Sequence, residues 1–226
     1  MHSREWFYKN YEGEVGAVCE TEKNSNSRAE LLIATSNQAK LADFKLYLSD
    51  DYTVLGIDDI GIKLKIPEGI DSIEDNAIAK ARAYAVKTGL MCLGDDTGFF
   101  IKELNGEPGV ALRRWGGELP EETTGEEFWD YLRQKTRGLK NLDCYFKQCV
   151  AIASPSGEIR VMHNVNNGVL NRVKLQQPYN GTDYPLAAAF ESRDRKKTWD
   201  EMSDDEKRAF DRAFIQKLKQ AIAALS

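Results

Sequence analysis

A chain of 226 residues is long enough for one α/β domain in one or two lobes, and 42% hydrophobic with 30% charged residues excludes a disordered polymer. A net charge of −5 and a pI near 5.3 argue against a general affinity for nucleic acid, which demands a basic surface. No apolar run approaches a membrane span, and Met1 to Asn10 lacks the apolar stretch of a secretion signal, so the expected location is cytoplasmic, with no membrane partner.

Residues 1–28 read as an N-terminal extension, with a short strand over Glu5 to Tyr11 and loop composition from Thr21 to Ser27, and residues 29–226 read as the working domain. Leu31-Leu-Ile-Ala34 has the compact apolar character of a buried strand. Thr35-Ser-Asn-Gln-Ala-Lys40 follows as a polar turn, and Leu41, Phe44 and Leu48 recur at helical spacing. Tyr52 to Ile57 and Ile60 to Ile66 alternate as strands do, until Pro67-Glu-Gly69 breaks the chain. An Ala-rich helix over Ile73 to Thr88 comes next, stopped by Gly89.

Met91-Cys-Leu93 reads as a short buried strand ending in Gly94-Asp-Asp-Thr-Gly98. Glu126 to Lys135 is a further helix, Cys144 to Ala153 and Ile159 to His163 form a hairpin around Pro155-Ser-Gly157, and Ser203 to Leu225 is one long charged amphipathic helix. The expected fold class is α/β: a central mixed, twisted sheet flanked by helices in two lobes, with the active site in the cleft between them. The four cysteines, Cys19, Cys92, Cys144 and Cys149, form no Cys-x-x-Cys pair and are expected as free buried thiols. With only His2 and His163 present, carboxylates, hydroxyls and lysines must carry any chemistry.

Three clusters are candidates. In the first, the backbone N–H groups and dipole at a helix start favour an anion, Thr35 and Asn37 can donate hydrogen bonds, and Lys40 adds a positive charge; an Asn or Ser cap with a solvated Lys40 is the plainer alternative. In the second, Asn76 and Lys80 share a helix face at i and i+4 with Asp75 beside them, a pattern that ordinary helix electrostatics also produces. In the third, the adjacent carboxylates of Asp95-Asp96-Thr97-Gly98 repel one another unless a cation or a donor lies between them, and Mg²⁺ is the natural partner. Haloacid-dehalogenase phosphatases place acids similarly but need Asp-x-Asp, whereas these two are contiguous.

Taken in order, Thr-x-Asn-x-x-Lys, an acid-Asn-Ala-x-x-Lys-Ala helix, Asp-Asp-Thr-Gly and Leu104-Asn-Gly-Glu-Pro-Gly109 with Arg114 beyond resemble the inosine triphosphate pyrophosphatase family from about Leu31 to Ala224. The resemblance implies a Mg²⁺-dependent hydrolase that cuts a nucleoside triphosphate between the α- and β-phosphates, and a homodimer. It implies further that Thr35, Asn37, Lys40 and Lys80 hold the triphosphate with Asn76, Thr97, Gly98 and Arg114 nearby. The metal falls to Asp75, Asp95 and Asp96, and Asp96 is the general base.

The base-reading half departs from that pattern. The family's Phe-Gly-Tyr/Trp-Asp-Pro segment is here Asn180-Gly181-Thr182-Asp183-Tyr184-Pro185, which keeps Gly181 and Asp183 but loses both aromatic residues. On the last helix Lys207 fits, but Asp211, Arg212 and Ala213 stand where the family has Ser-His-Arg. Asp75 replaces the usual Glu. These departures imply a retained reaction with a base preference shifted from inosine and xanthosine: Asp183, Lys207, Asp211 and Arg212 become the candidate base contacts, and Tyr179, Tyr184 or Trp199 the candidate stacking face. The competing readings are a Maf-like pyrophosphatase acting on pyrimidine or modified nucleotides and a nucleotide-sensing module without turnover.

Overall fold

The computed structural model describes residues 28–67, 69, 71–120, 122–181, 184–193 and 196–225. The strand expected over Glu5 to Tyr11 therefore lies outside the described residues, as do Cys19, Thr182 and Asp183.

Strand β1 (Glu30–Ala34) is central because all of Leu31 to Ala34 is apolar, and a strand apolar on both faces is stable only with cover on both. It pairs in parallel with β2 (Thr53–Gly56) on one side and with β3 (Met91–Ile101) on the other. β3 then pairs antiparallel with β5 (Asp143–Ala153), β5 with β6 (Ile159–Leu170), and β6 with β7 (Phe190–Ser192), while the two-residue β4 (Pro108–Gly109) pairs with the far end of β3. The sheet is mixed, as expected.

The period-two alternation of the strands sorts the core. Leu31, Ile33, Leu93, Val150 and Ile152 face α1 (Gln38–Leu48) and the last helix. Leu32, Ala34, Cys92, Cys149 and Ala151 face Ala77, Ala81 and Tyr84 of α2 (Ile73–Thr88). β3 and β5 are eleven residues long and run on into a second lobe, where Phe99, Ile101, Cys144, Leu170 and Phe190 pack around Trp115 and around Phe128, Trp129 and Leu132 of α3 (Gly125–Thr136). Cys144 and Cys149 thus belong to different cores, five residues apart and on opposite faces. Both are free, and burial pushes each thiol up to about 12.

Short helices α4 (Arg172–Leu175) and α5 (Pro185–Ala189) flank β7, and the chain closes with α6 (Asp204–Phe210) and α7 (Arg212–Ala223). No described helix is long and apolar enough to cross a membrane.

Three expectations are corrected. Ile60 to Ile66 form no strand: the segment leans Ile60, Ile62, Leu64 and Ile66 on the α2 side of the core, and the Leu64 N–H donates to Tyr84 Oη at 3.0 Å rather than to a sheet neighbour. The strand after Gly89 does not stop at Leu93, because antiparallel pairing with β5 continues through the acidic residues to Ile101. The last helix is two helices, since Asp211 adopts φ −92°, ψ 14° between them.

α2 begins at Ser72, whose hydroxyl accepts from Asp75 N, and ends at Gly89, where φ of 69° is a left-handed conformation that glycine adopts without Cβ strain. Its approach to β3 is unusually close at Gly94. A Cβ there would collide with the Ala77 carbonyl oxygen and lie 2.6 Å from the Ala81 nitrogen, so only glycine allows the helix backbone to rest on the strand.

Candidate active site

Because Asp95 and Asp96 lie in mid-strand, their side chains leave β3 on opposite faces. Each acid has its own lysine as the positively charged donor that neighbouring carboxylates require. Asp95, 1% exposed, pairs with Lys40 Nζ at 2.5 Å and accepts from Gln148 Nε2 at 2.7 Å. Asp96 accepts from Asn76 Nδ2 at 2.8 Å and pairs with Lys80 Nζ at 3.4 Å, and the same ammonium reaches the Asp95 carbonyl at 3.2 Å.

The Lys40 turn has the cap of the plainer alternative but not its solvated lysine. Asn37 is the cap of α1: its Oδ1 accepts from Ala39 N at 2.9 Å and Lys40 N at 3.2 Å, while Thr35 Oγ1 accepts from Asn37 N at 3.1 Å. Lys40 itself is not solvated, since its ammonium bridges Asp95 and Thr97 Oγ1, the latter at 3.1 Å. Removing one partner of such a buried pair generally costs about 3–5 kcal/mol.

Asn76 is spent on structure. It is 4% exposed; its Nδ2 donates to Gly69 O and Asp96 Oδ2, and its Oδ1 accepts from Gly69 N, each at 2.8 Å. It therefore orients the Asp96 carboxylate and ties down the Gly69 backbone. Asp75, next to it, lies exposed in the first turn of α2.

Two cavities meet over this part of the sheet. One, of about 360 Å³, is lined by Thr35, Lys40, Lys80, Asp95, Asp96 and Thr97, by Arg113 and Arg114 of a 3-10 segment (Leu112–Gly117), and by Thr124 and Gly125 at the start of α3. The other, of about 500 Å³, has aromatic walls from Phe146, Tyr184, Phe190 and Trp199 and polar groups from Asp43, Tyr47, Lys207 and Asp211. Asn37, Lys40, Thr97, Tyr184 and Leu186 line both. A cationic compartment thus opens into an aromatic one.

Most of the residues expected from sequence gather here, but not all. Gly98 is a packing position, where a Cβ would lie 2.8 Å from the Phe100 ring and 3.1 Å from the Gly109 oxygen. Arg212 is exposed on the outer side of α7 and lines a shallow hollow with Arg208 and Lys219, because the bend at Asp211 turns it away from the aromatic cavity. Ala213 is likewise exposed. Tyr179 packs on Trp129 at 5.5 Å between centroids and lines neither cavity, whereas Tyr184 and Trp199 do line the aromatic one.

Asp211 is no solvated helix charge. It is 9% exposed, accepts from Tyr47 Oη at 2.7 Å, and is pushed above the usual carboxylate range by burial, against the opposing effect of its hydrogen bonds. Lys207 places its ammonium 5.5 Å over the Trp199 ring. Sequence reasoning missed Asp43, Arg113 and the Thr124 turn. The capping box in Thr124-Gly-Glu-Glu127 and the spacing of Asp43 three residues beyond Lys40 were the available signals.

Comparison with known proteins places these features in a family. Residues 31–225 match the model of the Ham1 family. A dITP/XTP pyrophosphatase of Flavobacterium johnsoniae is 31% identical over 145 residues, covering 64% of this chain and 73% of the relative. The dITP/XTP pyrophosphatase of Bacillus subtilis is 29% identical over 181 residues, covering 79% and 88%. Among solved structures, the Ham1 protein of Staphylococcus aureus superimposes with a TM-score of 0.66 at 28% identity, over 86% of this chain and 98% of that one.

Proposed function

The chain belongs to the Ham1 family and is a nucleoside triphosphate pyrophosphatase, and on that premise we propose that it is Mg²⁺-dependent and prefers a base other than hypoxanthine or xanthine. The observation that carries this reading is the junction of the two cavities. Lysines and arginines line one, aromatic rings and carboxylates the other, and Lys40 and Thr97 stand at the boundary where the α-phosphate of a bound nucleotide would lie.

Among the described residues no group of three or more His, Cys, Asp or Glu side chains converges into an all-protein metal cage. The donor chemistry nevertheless fits Mg²⁺, which is characteristically held by one or two carboxylates and completed by substrate phosphates and water. Asp96 would hold it, while Asp95 is committed to Lys40 and Asp75, expected as a ligand, is exposed and lines neither cavity. When bound, the ion neutralises phosphate charge and acidifies water.

The chain's own groups supply the rest. Lys40, Lys80 and the exposed Arg113 and Arg114 offset the triphosphate charge and hold it in register. Asp96, oriented by Asn76, takes the proton of a water whose oxygen bonds to the α-phosphorus. The bond from that phosphorus to the α,β-bridging oxygen breaks in line, and pyrophosphate leaves with the bridging oxygen and its electron pair. With Mg²⁺ and a good substrate, pyrophosphate and monophosphate are the expected products by anion-exchange analysis. Orthophosphate and nucleoside diphosphate as first products would overturn the assignment. Light scattering tests the homodimer that the family resemblance implies.

The shifted base preference rests on Asp211. A carboxylate is an acceptor and matches an amino group, whereas a keto oxygen directed at it leaves two buried acceptors facing one another. Arg212 and Ala213 face solvent and take no part. Asp211→Ser is expected to raise relative kcat/KM for inosine triphosphate against amino-bearing bases by about tenfold, the scale of one hydrogen bond to a charged group. An unaltered protein that already prefers inosine triphosphate by a wide margin would refute the shift.

A further inference from the structure

Helix α1 serves both cavities. Lys40, Asp43 and Tyr47 recur at i, i+3 and i+7, so one helix face delivers a cation to the phosphate side and then a carboxylate and a phenol to the aromatic cavity. Asp43 is half-buried, and among the described residues it forms no ion pair. The groups acting on it come from every side. The Trp199 indole donates to it, Lys207 of α6 attracts it, and Asp211 and Asp95 repel it. Burial outweighs the attractions and pushes the carboxyl up to about 6, so at neutral pH it is ionised at a cost in stability. A side chain kept charged in a cavity against its own desolvation has a use there that packing does not explain.

We propose that Asp43 is a second specificity-determining residue of this enzyme, which with Asp211 selects a purine carrying exocyclic amino groups and rejects one carrying only keto oxygens on the same edge. The inference rests on the reading of the aromatic cavity as the base site. Two carboxylates, from α1 and from the α6–α7 bend, both line the aromatic cavity and are matched by hydrogen-bond donors rather than by a further acceptor. Where the base brings a keto oxygen instead, one carboxylate loses its water and gains nothing in return. Lys207 stacks over Trp199 close by and keeps the pair of negative charges from excluding a nucleotide altogether.

The test uses two purines that differ in the exocyclic groups of this edge. Pyrophosphate release from 2,6-diaminopurine deoxyribonucleoside triphosphate and from deoxyinosine triphosphate is measured with the unaltered protein and with Asp43→Asn, and equilibrium binding of the corresponding α,β-methylene analogues is measured in parallel. The unaltered protein should favour diaminopurine, and Asp43→Asn should lower that ratio about tenfold in both kcat/KM and affinity, because an amide presents a donor as readily as an acceptor. The substitution should also raise the melting temperature at pH 7.5, with the gain gone by about pH 4. The sign follows because the folded carboxyl titrates above its unfolded value near 3.8, so its burden is full above pH 6 and absent once both states are protonated.

A merely structural aspartate would instead lose stability on substitution and leave the base ratio alone. Should Asp43→Asn not fold, Asp43→Ser serves the same comparison. An unchanged ratio with pyrophosphate still released overturns the role of Asp43 and leaves the proposed function standing. Absence of pyrophosphate from every nucleotide overturns the proposed function, while the binding ratio still decides the role of Asp43.

Discussion

Replacing Asp96 by asparagine is expected to lower pyrophosphate release by about two to four orders of magnitude, the range for a positioned general base, while nucleotide binding survives. The substitution keeps the shape of the side chain and an oxygen for Asn76 Nδ2, 2.8 Å away in the native protein, so the carboxamide should sit where the carboxylate sat. What it loses is the capacity to take a proton and the negative charge that pairs with Lys80 at 3.4 Å. With that negative charge gone, Lys80 acts more strongly on the phosphates, and affinity for a non-hydrolysable nucleotide should hold or improve. Single-turnover kinetics separates the two effects, because a loss confined to the chemical step leaves the dissociation constant near its native value. Turnover close to native would remove Asp96 from the mechanism, and loss of binding in step with turnover would make it a structural residue.

The second large effect is expected at a residue with no chemistry. Gly94→Ala puts a methyl group onto the Ala77 carbonyl oxygen and within 2.6 Å of the Ala81 nitrogen, and these are backbone atoms of a helix that cannot rotate aside. α2 must lift away from β3, opening the core around Ala77, Ala81 and Cys92. Over-packing of this kind costs about 1–3 kcal/mol where side chains can give, and more against backbone. A loss of about 3 kcal/mol corresponds to a fall of roughly 6–12 °C in melting temperature for a domain of this size. Turnover should fall as well, because the same movement carries Asn76 and Lys80 away from Asp96. Differential scanning calorimetry and a pyrophosphate assay check the two halves, and a variant with native melting temperature would show that the helix does not rest on the strand at Gly94.

Where local rules act alone, sequence and structure agree. The apolar run Leu31 to Ala34 is a buried strand, the Ala-rich pattern from Ile73 is a helix ended by a left-handed Gly89, and the Cys144 and Cys149 thiols are free, buried and on opposite faces. Each follows from periodicity, capping or alternation, which are properties of neighbouring residues. The order of motifs likewise identified the family, because short stretches in a fixed order and spacing are legible along the chain.

Partnerships between distant segments were decided by tertiary structure. Met91 to Ile101 has no local reason to run on through two acids; it does so because β5 supplies ten residues of antiparallel pairing, and that pairing sends Asp95 and Asp96 to opposite faces. Each acid then meets its own lysine, from α1 and from α2, so two neighbours in sequence form two separate ion pairs in space. Ile60 to Ile66 alternates like a strand yet forms none, since a strand requires a neighbour with free backbone groups and periodicity does not provide one. Asp211 and Arg212 differ by one position, and only the bend between α6 and α7 buries the first against Tyr47 and exposes the second. The sequence by itself determined the local elements and the family. Which carboxylates face the aromatic cavity depended on how helices more than 160 residues apart, joined here by Tyr47 and Asp211, come to rest on the same sheet.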